Sequence, residues 1–283
     1  MSGILHLVGT PIGNLGDLSA RARQTLGSVG VIAAEDTRRT GRLLAHAGVD
    51  VPMVSFFEGN EVRRSAELLE ALRGGTDVAV VSDAGMPGLS DPGYRLVRAC
   101  IDEGIEVRVV PGPSAAVSAL VISGLPTDRY VFEGFLPRRA AERRARLREL
   151  AALPHTLVLF ESPRRVAGLL RDVVDELGDR RVAVARELTK RFEQVLRGTA
   201  SELLASLEGV ELKGEVVVVV EGRRGDAADV LDLGPLVEEA RVLVSTGMRK
   251  REAAARVARE HRASANAIYR RLVGGDDGPG RPG

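Results

Sequence analysis

With 283 residues, 44% hydrophobic and 28% charged, the chain is long enough for two globular domains and has neither a fibrous nor a disordered composition. No apolar run reaches the ~20 residues of a membrane-spanning helix, and Met1-Ser2-Gly3 leads straight into an apolar stretch without a basic segment and signal core, so a cytoplasmic protein with no membrane partner is expected. The single cysteine, Cys100, excludes an intramolecular disulfide, and Arg98-Ala99-Cys100-Ile101 places it on a buried helix face.

Apolar runs alternate with helical patterns through residues 1–125, the signature of a mostly parallel sheet with helical crossovers. Strands are predicted near 4–8, 31–35, 52–56, 78–82 and 106–110, and helices near 18–28, 38–47, 61–73, 94–103 and 114–123. Leu68, Leu69 and Leu72 follow helical spacing in the third helix, where Glu61 and Arg63 read as a solvated face. Three Gly/Pro loops follow three of these strands: Val8 to Gly16, Ser82 to Gly93, and Val110 to Ala116. Ligands bind at the carboxyl ends of strands in open parallel sheets, so the loops predict a shared ligand surface centred on Ser82 to Gly93. At the end of that central loop, Ser90 or Asp91 followed by Pro92 reads as a helix N-cap, with the next helix starting near Tyr94.

Gly124-Leu125-Pro126-Thr127 marks a domain boundary, and residues 126–222 form a second α/β unit. Its strands are expected near 130–135, 156–160, 181–187, 192–197 and 215–221, with helices at about 139–152, 164–177 and 200–208. A hairpin through Thr189-Lys190-Arg191 makes this sheet mixed. Residues 223–235 read as a linker, 236–273 as a small basic helical domain, and 274–283 as a disordered tail. In the helical domain, Ala254, Val257 and Ala258 form one apolar stripe, and Ile268 and Leu272 form another after Ser264, an expected N-cap. The pattern matches either a basic helix-turn-helix or a helical hairpin packed on a larger body.

Charge is concentrated rather than balanced. Residues 138–148 hold six arginines against Glu142, and residues 241–273 hold nine Lys or Arg against Glu252 and Glu260. Such clusters suit phosphate backbones. Lysine occurs only at positions 190, 213 and 250, so a genome-wide bias toward arginine accounts for the same pattern and composition alone leaves the question open.

Several chemistries are excluded. The chain has no Gly-x-x-x-x-Gly-Lys-Ser/Thr, no Gly-x-Gly-x-x-Gly after the first strand, and no nucleophile elbow. His6, His46, His155 and His261 are scattered, and no metal site is expected. What remains is a ligand held by backbone groups at strand ends, with Ser114 opening a helix whose amides can receive a carboxylate.

Six ordered segments carry a specific resemblance. Val8 to Leu15, Glu35 to Thr40, Ser82 to Gly93, Val110 to Ala115, Phe160 to Arg165 and Arg186 to Lys190 resemble the successive motifs of the tetrapyrrole-methylase superfamily, over roughly residues 4–222. They are most similar to the branch that methylates the ribose 2′-hydroxyl of a cytidine in bacterial small-subunit ribosomal RNA. The resemblance implies two α/β domains with S-adenosylmethionine in the cleft between them, plus a small C-terminal helical domain. Carried over motif by motif, the cofactor contacts fall on Pro11, Ala84, Gly85, Met86, Leu89, Ser114 and Ala115, with Asp83 beside them and Glu161 and Gly198 added from the second domain. Where tetrapyrrole-specific relatives carry Gly-Asp-Pro, this chain has Gly85-Met86-Pro87, which favours the RNA branch.

The reaction aligns a sulfonium methyl with the ribose oxygen and removes the hydroxyl proton, so a base is sought among Glu35, Asp36, Glu161, Glu187 and Lys190. Each is equally a structural ion-pair partner, the carboxylates notably for Arg38, Arg39, Arg164 or Arg186. Arg38, Arg39, Arg138, Arg139, Arg249, Lys250 and Arg251 are the expected RNA contacts. The expected partners are 16S ribosomal RNA within the small subunit and a second copy of the chain. Two other readings stay open: a methyltransferase acting on a tetrapyrrole or other small molecule, and a non-catalytic RNA-binding assembly factor.

Overall fold

A computed structural model describes residues 2–210, 212–223, 233–261, 263 and 265–273, which group into two compact units divided after Arg223. The first unit contains two five-stranded sheets. In the first sheet β1 (Leu5–Val8), β2 (Val31–Ala34), β3 (Met53–Ser55), β4 (Val78–Val81) and β5 (Val107–Val110) run parallel in the order β3-β2-β4-β1-β5. The helices between them are α1 (Ala20–Ser28), α2 (Thr37–Ala47), α3 (Glu61–Arg73) and α4 (Tyr94–Asp102). The alternation of β4 shows how the layers form. Val78 and Val80 pack toward Leu68, Leu72 and Cys100 of α3 and α4, whereas Ala79 and Val81 join Leu26 and Leu44 of α1 and α2. From β1 the chain crosses to β2, and from β4 it crosses the opposite way to β5. Connections therefore diverge at the adjacent pair β4/β1, the position where an open parallel sheet forms a crevice.

The second sheet comprises β6 (Tyr130–Phe135), β7 (Thr156–Glu161), β8 (Arg181–Arg186), β9 (Gln194–Thr199) and β10 (Val216–Val220) in the order β6-β7-β10-β8-β9. Only β6 and β7 are parallel, and β8 and β9 form the expected antiparallel hairpin. Central β10 is five valines, all buried. Val216, Val218 and Val220 face α6 (Ala140–Leu150), α7 (Val166–Leu177) and α8 (Ala200–Ser206). Val217 and Val219 face Ala116, Ala119 and Leu120 of α5 (Ala115–Ser123). Full burial of each such side chain contributes about 1.5–3 kcal/mol before the entropy of ordering it. The contact with α5 departs from the sequence expectation. This helix precedes the boundary at Gly124, yet it covers the second sheet, because its small Ala116 and Ala119 let it lie close against the valines.

In the second unit three helices form one core: α9 (Leu233–Ser245), α10 (Lys250–Glu260) and α11 (Ala265–Val273). Ala254, Val257, Ala258, Ile268 and Leu272 are buried as their spacing predicts. The linker expected over 223–235 ends sooner, since α9 starts at Leu233 with Pro235 in its first turn, where a missing N–H costs nothing. The cap expected at Ser264 and the tail at 274–283 lie outside the described residues.

Four of the six arginines in the 138–148 cluster are tied to carboxylates of neighbouring elements or of their own helix. Arg146 pairs with Glu133 and Glu149, Arg148 with Glu176, and Arg144 with Asp172 and Glu176. Arg143 is buried, its Nε and Nη2 both 2.6 Å from Asp172 Oδ2, and the two side chains are 9% and 5% exposed. Removing one partner of such a pair strands the other charge, which costs about 3–5 kcal/mol. Arg143→Met is expected to lose about 3 kcal/mol in urea unfolding, with Arg144 limiting the damage at 3.8 Å from Asp172, and the Arg143→Met/Asp172→Leu double variant is expected to recover most of it. Equal stabilities for the single variant and the unaltered protein would show that the pair does not join α6 to α7.

Candidate functional site

Three strand-end loops meet where β1, β4 and β5 finish. The Gly9 amide donates to Val110 O at 2.9 Å, and Thr10 and Gly85 exchange N–H···O bonds of 2.8 and 3.1 Å. Thr10 Oγ1 donates to Ser82 O at 3.1 Å. The backbones approach so closely that a side-chain carbon on Gly9 would lie 2.6 Å from Gly112 N and 2.7 Å from Met86 Sδ. Gly85 holds a φ of +86°, which glycine adopts without strain.

The ends of β2 and β4 are tied by an exchange of carboxylates. Glu35 Oε2 accepts the Asp83 N–H at 3.0 Å, Asp83 Oδ1 accepts the Asp36 N–H at 3.0 Å, and Asp83 Oδ2 pairs with Arg39 at 3.2 Å. Glu35 and Asp83 therefore hold the floor of the site. Asp36 caps α2 and is held by Arg38, whose hydrogen bonds keep its carboxyl far below the usual range, leaving it a poor base.

Between this floor and the second sheet lies a cavity of about 420 Å³, within the size range of small-molecule sites. Asp83, Ala84, Gly85, Met86, Leu89, Ser114 and Ala115 line it from one side, with Phe135, Phe160, Glu161, Leu188, Glu215 and Val217 opposite. Glu161, 3% exposed, accepts the Ser162 N–H at 2.7 Å, and its other oxygen lies 3.2 Å from Arg165 without accepting a hydrogen bond. That buried oxygen is offset by the charge of Arg165 alone. Lys190 Nζ sits 3.0 Å from Glu187 and 3.1 Å from Glu215. Burial works against its charge, but the two carboxylates outweigh burial and hold its pKa above the ordinary lysine value, so Lys190 is a cation at neutral pH.

Eight of the ten expected cofactor contacts thus converge. Pro11 lines an adjoining groove of about 360 Å³ that shares Asp83 and Ala84 with the cavity. Gly198 does not line the cavity; it lies in β9, where it pairs with Val182 of β8, and a side-chain carbon there would meet Glu202. Ser90 and Asp91 do not cap α4, whose N-cap is Gly93 at φ +135° with its N–H bound to Glu61 at 3.0 Å. Glu61 is thereby drawn out of the solvated face expected for it and also lies 3.7 Å from Arg95. Asp91 lines the cavity instead and was not among the expected site residues; neither were Phe135, Phe160 and Glu215. A cap motif hid Asp91, and isolated aromatics carry no spacing signal. Of the expected RNA contacts, Arg38, Arg39, Arg138, Arg139, Arg249, Lys250 and Arg251 are all exposed or half-buried at the surface. Among the described residues, the nearest approach to a metal-ligand group is Glu239, Glu260 and His261, where His261 Nε2 is already 2.9 Å from Glu239.

A family model described as tetrapyrrole (corrin/porphyrin) methylases matches residues 4–204, and the chain belongs to that family of S-adenosylmethionine-dependent methyltransferases. The curated relatives narrow the class. The chain is 43% identical to a ribosomal RNA small subunit methyltransferase I of Synechocystis over 94% of its own length and 96% of the relative. It is 47% identical to one of Mycobacterium tuberculosis over 92% and 90%, and 49% identical to one of Thermotoga maritima over 78% and 99%. Among solved structures, a uroporphyrin-III C-methyltransferase of Thermus thermophilus superposes with a TM-score of 0.54 at 24% identity over 78% of this chain and 93% of that one. A diphthine synthase superposes with 0.59 at 14% identity over 81% and 93%, and both likenesses show the shared fold. Among the described residues, no helix is long and apolar enough to cross a membrane.

Burial pushes the Asp91 carboxyl up from 3.8 to about 6, the charges of Glu35 and Asp83 add to the rise, and the Ser82 hydroxyl opposes it. The folded protein therefore binds this proton more tightly than the unfolded chain, so Asp91 stabilises least above pH 6 and its cost disappears below pH 4. Asp91→Asn is expected to raise stability at pH 7.5 by about 1–2 kcal/mol, allowing for partial solvent screening, and to change nothing at pH 3.5. Unfolding curves at the two pH values measure this, and a variant equal to the unaltered protein at pH 7.5 would contradict it.

Proposed function

We propose that the chain transfers the methyl group of S-adenosylmethionine to the ribose 2′-hydroxyl of a cytidine in the 16S RNA of the small ribosomal subunit, in the cytoplasm and as a homodimer. The observation that carries the reading is the near full-length likeness to relatives named for small-subunit ribosomal RNA, together with the cavity formed by the loops that the resemblance singled out. Bound S-adenosylmethionine supplies an electrophilic methyl on a sulfonium sulfur.

The residues present fit that group. Backbone amides and carbonyls of Ala84 to Leu89 and the α5 N-terminus at Ser114 and Ala115 form the binding surface, with Pro11 in the adjoining groove. Glu161 lines the cavity and adds negative charge on the side where an ammonium group would lie. Asp83 acts through the floor by holding Asp36 and Arg39 in place. Gly198 has no part in the contact surface. Residues 1–125 and 126–222 act as the two halves of the site, and residues 236–273 as an RNA-binding unit.

RNA positioning falls to the exposed arginines. Arg38, Arg39, Arg138 and Arg139 are the more exposed, with Arg38, Arg39 and Arg139 each paired to a neighbouring carboxylate from the solvent side, whereas Arg143, Arg144, Arg146 and Arg148 tie α6 to its neighbours. Arg249, Lys250 and Arg251 gather at the N-terminus of α10, where the helix dipole disfavours cations and a phosphate would offset the repulsion. A small-molecule acceptor would leave those exposed cations without a role.

Tritiated methyl from S-adenosylmethionine is expected to enter 16S RNA in assembled small subunits and to vanish when the acceptor cytidine carries a 2′-deoxyribose. Incorporation that survives the deoxy substitution would contradict 2′-O chemistry, and none into RNA in any form would return the acceptor to the small-molecule class.

A further inference from the structure

The cavity wall contains five carboxylates, and four of them are already engaged. Glu35 accepts the Asp83 N–H, Asp83 accepts the Asp36 N–H and pairs with Arg39, Glu161 accepts the Ser162 N–H and pairs with Arg165, and Glu215 pairs with Lys190. The fifth, Asp91, has neither a backbone N–H nor a cation bound to it among the described residues, with the Ser82 hydroxyl as its polar neighbour. Its place is imposed by strained backbone. Ser90 holds a φ of +65° between Gly88 and Gly93 at +81° and +135°, so the chain turns Asp91 into the cavity and leaves Glu61 to hold the Gly93 N–H. A non-glycine residue in this region is strained and persists where the surroundings enforce it.

The same loop end reaches the second sheet. At Gly134, φ +66°, the register of β6 against β7 shifts, and a side-chain carbon there would lie 3.0 Å from Ser90 Oγ. Beside it Phe135 lines the cavity, 62% exposed, with its ring 5.5 Å from Phe160 at 60°. An exposed aromatic face and an unengaged carboxylate thus occupy one cavity, the pair of groups that a flipped nucleoside needs for its base and its ribose hydroxyl.

We propose that Asp91 is the general base that takes the proton of the acceptor 2′-hydroxyl, with Phe135 as the stacking surface for the acceptor base. The inference rests on the RNA 2′-O reading of the site. In the step, the hydroxyl O–H bond breaks and its proton passes to an Asp91 carboxylate oxygen. The oxygen electron pair forms the new O–CH₃ bond, and the S–CH₃ pair returns to sulfur, leaving a neutral thioether. The surrounding groups favour this role: Glu35, Asp83, Glu161 and Glu215 make the cavity acidic, Arg39 and Arg165 are held by Asp83 and Glu161, and Arg95 by Glu61. Burial and the like charges raise the basicity of Asp91, with the Ser82 hydroxyl opposing.

The test is single-turnover methyl transfer to assembled small subunits between pH 5 and 9 by the unaltered protein, Asp91→Asn and Asp91→Glu, with S-adenosylmethionine affinity measured by calorimetry and the product nucleoside identified. The unaltered rate is expected to rise through about pH 6 and level off. Asp91→Asn is expected to lose roughly 10²–10⁴-fold in rate, to lose the inflection, and to keep its S-adenosylmethionine affinity within about threefold, while Asp91→Glu recovers part of the rate. An Asn variant with the unaltered rate and pH profile overturns the assignment alone. So does one whose rate and affinity fall in proportion, because Asp91 would then be a binding group. A folded unaltered protein that makes no 2′-O-methylcytidine overturns the RNA reading, and the base assignment with it.

Discussion

The cleft depends on the backbones of Gly9 and Gly112 touching with no side chain between them. That contact brings the loop after β1 against the loop after β5, and Met86 of the central loop lies over Gly9. The Thr10–Gly85 pair of hydrogen bonds then fixes the central loop to the first, and the Glu35–Asp83 exchange fixes it to the end of β2. Four neighbouring strand ends are thereby held as one surface. Transfer of a methyl group requires two reacting atoms to be closely aligned, a requirement that a surface built from interlocked backbone suits.

Charge in this protein divides into three kinds of work. The Arg143–Asp172 pair and its neighbours tie α6 to α7, so a sequence run that resembles a polyanion-binding stripe is mainly mortar between two helices. The acidic residues at the strand ends bind backbone amides and so shape the loops. Exposed cations, above all those at the start of α10, are left over from both tasks. The Thermotoga relative is covered over 99% of its length by 78% of this chain, which leaves no room in that relative for an added unit the size of residues 224–283.

The strands and helices of the first sheet were legible because each parallel strand is an apolar run ended by Gly or Pro, and all five fall within a residue or so of their expected bounds. The three loops were legible for the same reason. What periodicity does not encode is which sheet a helix covers. The hydrophobic α5 has no polar face to orient it, and only packing places it on β10. The fate of the carboxylates was also hidden. Glu35 and Asp36 are adjacent in sequence, yet one binds an amide 48 positions away and the other caps its own helix. Asp91 followed by Pro92 has the local pattern of a cap, and the left-handed turn at Ser90 that redirects it has no signature in residue type. Gly198, which the resemblance added from the second domain, lies in β9 outside the cavity, because sequence order does not reveal which strand edge faces the cleft.

The most direct measurement is a crystal structure with S-adenosylmethionine bound. The ligand is expected in the cavity between Ala84 to Leu89 and the segment 214–217, with its ammonium group against Glu161 and its methyl directed toward the end formed by Asp91 and Phe135. A ligand bound instead in the groove lined by Leu15, Arg23, His46 and Val49, or on the helical unit, would contradict the assignment of the strand-end cleft as the site of methyl transfer.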